Sequence, residues 1–287
     1  MKTKPLGLGR PEVKPVEQTL EDDRSPIGYL KSQPAMKQEA QSFGLSSPHF
    51  CQYLDEVKRA LLVRKSQVEQ EWDPFIASWL AYAFVHGQDL HSSLFQELFQ
   101  RLDKWSQGED VWQWKRNIGP LFFVIWLRKR QNLPISEIHV HKAIQMLQTL
   151  NPDNKFSPLR SPDQVFLIAL GVSAIDQVEA KEYLHSFIPL QVKGTLARRI
   201  IFCAALKEIG IEHPLSLSET KDIADIIALL WWAGRENIPD KSRYWTQFAK
   251  NINEISLYRD DKFTTKRILS DFELALLFEA LAREHAI

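Results

Sequence analysis

Acids and tryptophans at short spacing are the residues of this chain whose types could do chemistry. Asp222 and Asp225 stand three apart, with Glu219 one turn earlier, so on a helix they share a face from which carboxylates can hold a cation or exchange a proton. Acids near the start of a helix are also favoured by its dipole, and that structural expectation is the one adopted for this pair. Glu109 and Asp110 come just before Trp112 and Trp114, and Lys115 and Arg116 follow directly. Aromatic planes beside cations are what stacking on bases and pairing with phosphates require, so this cluster, with Arg198 and Arg199 as further cations, is a candidate nucleic-acid contact. The competing expectation is that such tryptophans belong to the core. Arg128, Lys129 and Arg130 form a basic run at a helix end, where cations offset the dipole, with contact to a protein partner as the alternative.

Other chemistries lack their residues. Phosphate loops need clustered glycines, and beyond Gly7 and Gly9 the eleven glycines stand singly. His139 and His141 are two apart, which on a helix points them to different faces, and only two cysteines occur, Cys51 and Cys203, both expected as buried free thiols. No catalytic residue, metal site or cofactor is therefore expected. Lys plus Arg and Asp plus Glu are equal at 36 each, so no overall field selects nucleic acid or membrane. The start of the chain has cations without an apolar core, and no stretch reaches the roughly 20 apolar residues of a membrane span, so a reducing cytoplasm without membrane contact is expected.

The elements that must position these residues read as helices. Residues 1–47 hold five of the fifteen prolines and four of the eleven glycines, the composition of a disordered or partner-docking tail. From Pro48 the pattern turns to helix. Phe50, Leu54, Val57, Leu61 and Leu62 recur at spacings of three and four, in a helix expected to end near Lys65. Asp73, Pro74 and Gly87 supply a cap, a first helical position and a stop. The stretch Trp112 to Arg130 contains the longest apolar run, Gly119 to Leu127, and is expected to supply the most deeply buried helix. Ser218 and Gly234 are expected to bound the helix carrying Ile223 to Trp231, and Ser270 to cap the last one.

Hairpins of such helices repeat in register: Phe75, Ile76, Trp79 and Leu80 follow Pro74 at the same offsets as Leu121, Phe122, Ile125 and Trp126 follow Pro120. Pro74, Pro120 and Pro162 lie 46 and 42 residues apart, within the roughly 40 to 47 residue period of HEAT and armadillo arrays. No strand is expected. The fold class is therefore all-α, with residues 48–287 forming stacked antiparallel helical hairpins, a HEAT-like α-solenoid or a closed α/α array. The segment KWSQGEDVWQWKR, from Lys104 to Arg116, resembles the inter-repeat segments of HEAT-like DNA glycosylases of the alkylpurine type, and departs from that family in its balanced charge. The resemblance implies stacking by Trp112 and Trp114, an acid role for Asp110, and phosphate contacts for Lys115, Arg116, Arg198 and Arg199. The leading expectation is a non-enzymatic scaffold that binds a protein partner, because stacked hairpins expose long binding surfaces. Nucleic acid, bound or chemically processed at this cluster, is the alternative.

Overall fold

The structure is a computed structural model that describes residues 48–86, 93–175, 177–191, 193–217, 220–238, 241–258 and 266–285. Among them are eleven α-helices: α1 (Pro48–Gln70), α2 (Pro74–His86), α3 (Ser93–Ser106), α4 (Ile118–Arg130), α5 (Glu137–Gln148), α6 (Pro162–Ala174), α7 (Val178–Gln191), α8 (Leu196–Glu208), α9 (Ile223–Glu236), α10 (Ser242–Asn251) and α11 (Asp271–His285). Regular structure among the described residues is thus almost wholly helical. The exception is a pair of two-residue parallel strands, β1 (Ile255–Ser256) and β2 (Arg267–Ile268), which the sequence pattern did not announce. The expectations for residues 1–47, for Gly87 and for Ser218 fall outside the described residues.

Two kinds of helix occur, and their burial separates them. The helices α2, α4, α6, α8 and α9 are buried along most of their length, on every side, as apolar runs of seven to ten residues dictate. Each packs against the next in that order, α9 packs against α11, and α11 returns to pack against α2. Contacts among these six helices therefore close into a ring. The amphipathic helices α1, α3, α5, α7 and α10 lie against its outside, each burying one face.

The starts of the inner helices meet at one end of the ring. Gln164 near the start of α6 accepts from the Gly119 N–H at the start of α4 (3.2 Å) and donates to the Arg116 carbonyl (3.3 Å). Asp225 in the first turn of α9 accepts from Ala197 N–H in the first turn of α8 (2.6 Å). The inner helices thus run parallel, and the free N–H groups of one helix start are satisfied by a side chain of its neighbour.

Local sequence explains most boundaries. Asp73 accepts from the N–H groups of Phe75 (2.8 Å) and Ile76 (3.3 Å), while Ser270 and Glu273 form a reciprocal capping box at the start of α11. Four expectations need correction. Helix α1 continues to Gln70, past Lys65, because its buried Lys65 is paired with Glu69 and Glu97 and has no reason to stop the helix. Helix α9 is capped by Asp222, whose carboxylate accepts from Ala224 and Asp225, and runs through Gly234 to a left-handed Asn237. The stretch before α4 is two 3-10 turns, Asp110–Gln113 and Lys115–Asn117, so only its second part is the buried helix. Cys51 is exposed and only Cys203 is buried.

The tightest packing is between α4 and α6. A Cβ at Gly171 would stand 2.2 Å from the Phe122 carbonyl oxygen, so only glycine allows these two backbones to approach so closely.

Candidate functional site

Aromatic side chains fill the centre of the ring. Trp79 of α2 stacks across it on Phe166 of α6 (6.1 Å between centroids, 14° between planes), and Phe166 meets Trp231 of α9 edge-on at 5.4 Å. Tyr82 and Phe272 complete the cluster around Trp79. Helices that are not ring neighbours touch through these side chains, so the ring has a packed centre at this level.

Next to this plug, towards the helix C-termini, lies a buried charge network that no sequence pattern singled out. Glu279 of α11 is 0% exposed. Its Oε2 accepts from Tyr82 Oη (2.6 Å) and Trp231 Nε1 (2.5 Å), and its Oε1 accepts from Arg283 Nε (2.9 Å) and Nη2 (2.7 Å). Arg235 of α9 donates to Tyr82 Oη (3.1 Å) and pairs with Glu208 at the end of α8, with its guanidinium 4.9 Å above the Trp231 ring. His86, the last residue of α2, brings Nδ1 to 3.4 Å from Glu279 Oε1 and stacks on Trp126 of α4. Side chains from α2, α9 and α11 therefore converge on one carboxylate, and Glu208 of α8 joins through Arg235.

Burial opposes the charge on Glu279, but the pull of His86, Arg235 and Arg283 and the Tyr82 hydroxyl outweigh it and bring the carboxyl down to about 2. For His86 burial acts downward, aided by Arg235, Arg283 and Arg130 against the attraction of Glu279, and takes the imidazole to about 4. At neutral pH His86 is thus neutral, and the two arginines compensate the carboxylate. Burial and the Glu279 charge push the Tyr82 hydroxyl far above its ordinary range, so it stays a hydrogen-bond donor. Every oxygen of Glu279 is engaged and the group is closed to water. All four hydrogen bonds to Glu279 are made within the fold, while His86 Nε2 has no hydrogen-bond partner among the described residues.

The opposite end of the ring is different. Trp114 is 59% exposed, with the Arg116 guanidinium 5.6 Å above its ring. Lys115 is exposed and reaches the Thr149 carbonyl (3.1 Å), at the start of the loop that carries exposed Lys155 and Phe156, the latter 81% exposed. That loop leads to exposed Arg160 at the start of α6. Arg198, in the first turn of α8, lies over Phe202, and burial together with the charge of Arg160 lowers its pKa. Arg199 is half-buried, and its Nε has no hydrogen-bond partner among the described residues. Lys115, Arg116, Arg198 and Arg199, far apart in sequence, are thus brought to one rim.

Other candidates separate. Trp112 is half-buried against the core, beside His139 (5.5 Å between rings) and under Lys142. The crevice it borders with Ser106, Arg128 and His139 has a volume of about 10 Å³, room for a water and not for a base. Arg128 is engaged by Asp103 (2.5 and 2.8 Å) and the Pro134 carbonyl (2.7 Å), which takes it out of the run expected to face a partner. Lys129 is exposed, and Arg130 lies 5.0 Å above Trp126. Asp222 and Asp225 are a cap and a tie between helix starts. Comparison with known protein families, characterised proteins and solved structures finds no match for the chain.

Proposed function

We propose that residues 48–287 form one helical-repeat domain, of the closed α/α kind rather than an open HEAT-like solenoid, and that it works without catalysis by binding another macromolecule. The partner in this reading is a protein with an acidic segment, docked on the rim at the helix starts. One observation carries it: Trp114 stands in solvent with the Arg116 guanidinium over its ring and exposed Lys115 beside it, on the end of the ring that also carries exposed Arg160, whereas Trp231 at the other end is buried and Arg235 and Arg283 are paired. An exposed aromatic anchor flanked by cations fits partner recognition, where charge sets the approach and the aromatic supplies the contact. The closed array is supported by the packing of α11 on α2.

A second reading, nucleic acid on the same rim, is favoured by the same pairing of Trp114 with cations. Two arms of one experiment separate them. Full-length protein and its Trp114→Ala/Arg116→Glu variant are used as bait in lysate with and without nuclease, and each is run against DNA and RNA in a mobility-shift assay at low salt, where phosphate contacts are strongest. A protein retained after nuclease and lost with the variant is the expected result. A nucleic-acid shift abolished by Lys115→Glu/Arg116→Glu replaces it with the second reading, and a variant that behaves as wild type in both arms sinks both.

A further inference from the structure

Helix α10 turns one face to an open groove of about 710 Å³. Arg243, Gln247 and Lys250 follow one another at spacings of four and three, so they share that face, with Thr246 and Asn251 beside them. The opposite face buries Trp245, Phe248 and Ala249 against the core. Lys221, just ahead of α9, supplies a third cation from across the groove. Among the described residues no carboxylate lines it. Lys221 and Lys250 are exposed and make no ion pair among the described residues, whereas Lys241, one turn away from the groove, is held by Glu284 at 2.6 Å.

Lys221 and Lys250 face one concavity beside Arg243, and an anion shared between them would relieve the repulsion of like charges. Arg243 is already set for that role: its Nη2 donates to Tyr244 Oη (2.7 Å) and its guanidinium lies 4.7 Å above the Tyr244 ring, which leaves the fork oriented by a buried aromatic. The Thr246 hydroxyl and the amides of Gln247 and Asn251 add neutral donors between the cations. The volume falls in the roughly 300 to 1,000 Å³ range of small-molecule sites. We propose that this groove binds a soluble ligand bearing two or more phosphate groups, with Arg243 gripping one phosphate and Lys221 and Lys250 neutralising the next. A single phosphate is too small to reach cations on both walls of a space this large. The groove shares the start of α9 with that end of the ring, but none of its residues belongs to the starts of α4, α6 or α8.

Titration calorimetry of the full chain with inorganic triphosphate, and separately with a nucleoside triphosphate, tests this at low and at physiological salt. Saturable one-to-one binding that survives physiological salt is expected. The double variant Lys221→Gln/Lys250→Gln should weaken it by about tenfold or more, because two charge-assisted contacts are lost, with helix content unchanged by circular dichroism. Gln247→Glu, which places an acid in the groove, should weaken it independently, while Arg116→Glu on the rim should leave it intact. Absence of saturable heat, or heat unaffected by the groove variants, overturns the proposal. Sedimentation with phosphoinositide-bearing vesicles in the absence of any triphosphate binding also overturns it, in favour of a lipid headgroup.

Discussion

The two ends of the inner ring are built from the same residue types and use them in opposite ways. At the C-terminal end Arg235, Arg283 and Trp231 surround Glu279 so completely that every polar atom of that carboxylate has a partner and none meets solvent. At the N-terminal end Arg116, Arg160 and Trp114 stand in solvent, and Arg198 feels the repulsion of Arg160 and a weaker attraction from Asp163. A charge network buys its place in a core only when it is fully satisfied, because an unpaired buried charge costs several kcal/mol. An exposed one costs little and remains available. The closed end is thereby suited to stability, and the open end keeps its groups accessible.

Removing the acid of the closed end should have the largest effect. Glu279→Ala leaves Arg283 without its carboxylate, Arg235 with Glu208 alone, and strips the Tyr82 hydroxyl and Trp231 N–H of an acceptor, so a loss of about 3 to 5 kcal/mol is expected in urea denaturation. Glu279→Leu tests the alternative that the network serves only to fill space. If it is as stable as the parent, the charges are dispensable to the fold.

Acid should attack the same end. An unfolded chain takes up the His86 proton near the ordinary 6.5 and the folded chain only near 4, so between those values the unfolded state holds one proton more and stability falls as pH falls. Glu279 adds to this lower down: the unfolded carboxyl protonates near 4.5 while the folded one stays ionised to about 2, so its contribution is complete above 4.5 and lost as pH falls through about 2. Each group steepens the profile by up to about 1.4 kcal/mol per pH unit within its window. Denaturation at a series of pH values should therefore show a flatter upper window in His86→Leu and a flatter lower one in Glu279→Gln, and parallel profiles would remove both groups from the account.

A smaller effect is expected between the two ends. Gly171→Ala puts a methyl into the Phe122 backbone, forces α4 and α6 apart, and should cost about 1 to 3 kcal/mol by overpacking. The loss should come without the pH dependence that marks the network.

What the sequence makes legible follows from range. The Asp73 cap, the Ser270 and Glu273 capping box and the apolar run of α4 are local patterns, and each is where its residues put it. The closing of the ring depends on α2 meeting α11 across most of the chain, and no local pattern encodes that contact. Glu279 was missed because it lies inside the apolar stripe of α11. Its position between Phe278 and Ala280, with Arg283 one turn on, was the available signal that it is buried and paired. Trp112 and Trp114 look equivalent in sequence, yet the 3-10 turns before α4 roll one into the core and leave the other outside.

That last division gives the finest test of the comparison. Trp114→Ala removes an exposed ring whose only described ring contact is the Arg116 guanidinium, so stability should change by no more than about 0.5 kcal/mol. Trp112→Ala, two residues away, takes a half-buried ring off His139 and the core and should cost about 1 to 3 kcal/mol, with the smaller value fitting its partial exposure. Thermal denaturation of the pair side by side reads the difference directly. Equal losses would mean that Trp114 also supports the fold, and the open rim would then lose the feature that separates it from the buried end. A loss confined to Trp112 leaves Trp114 with no structural task, and binding is then the remaining reason for a tryptophan in solvent beside Lys115 and Arg116.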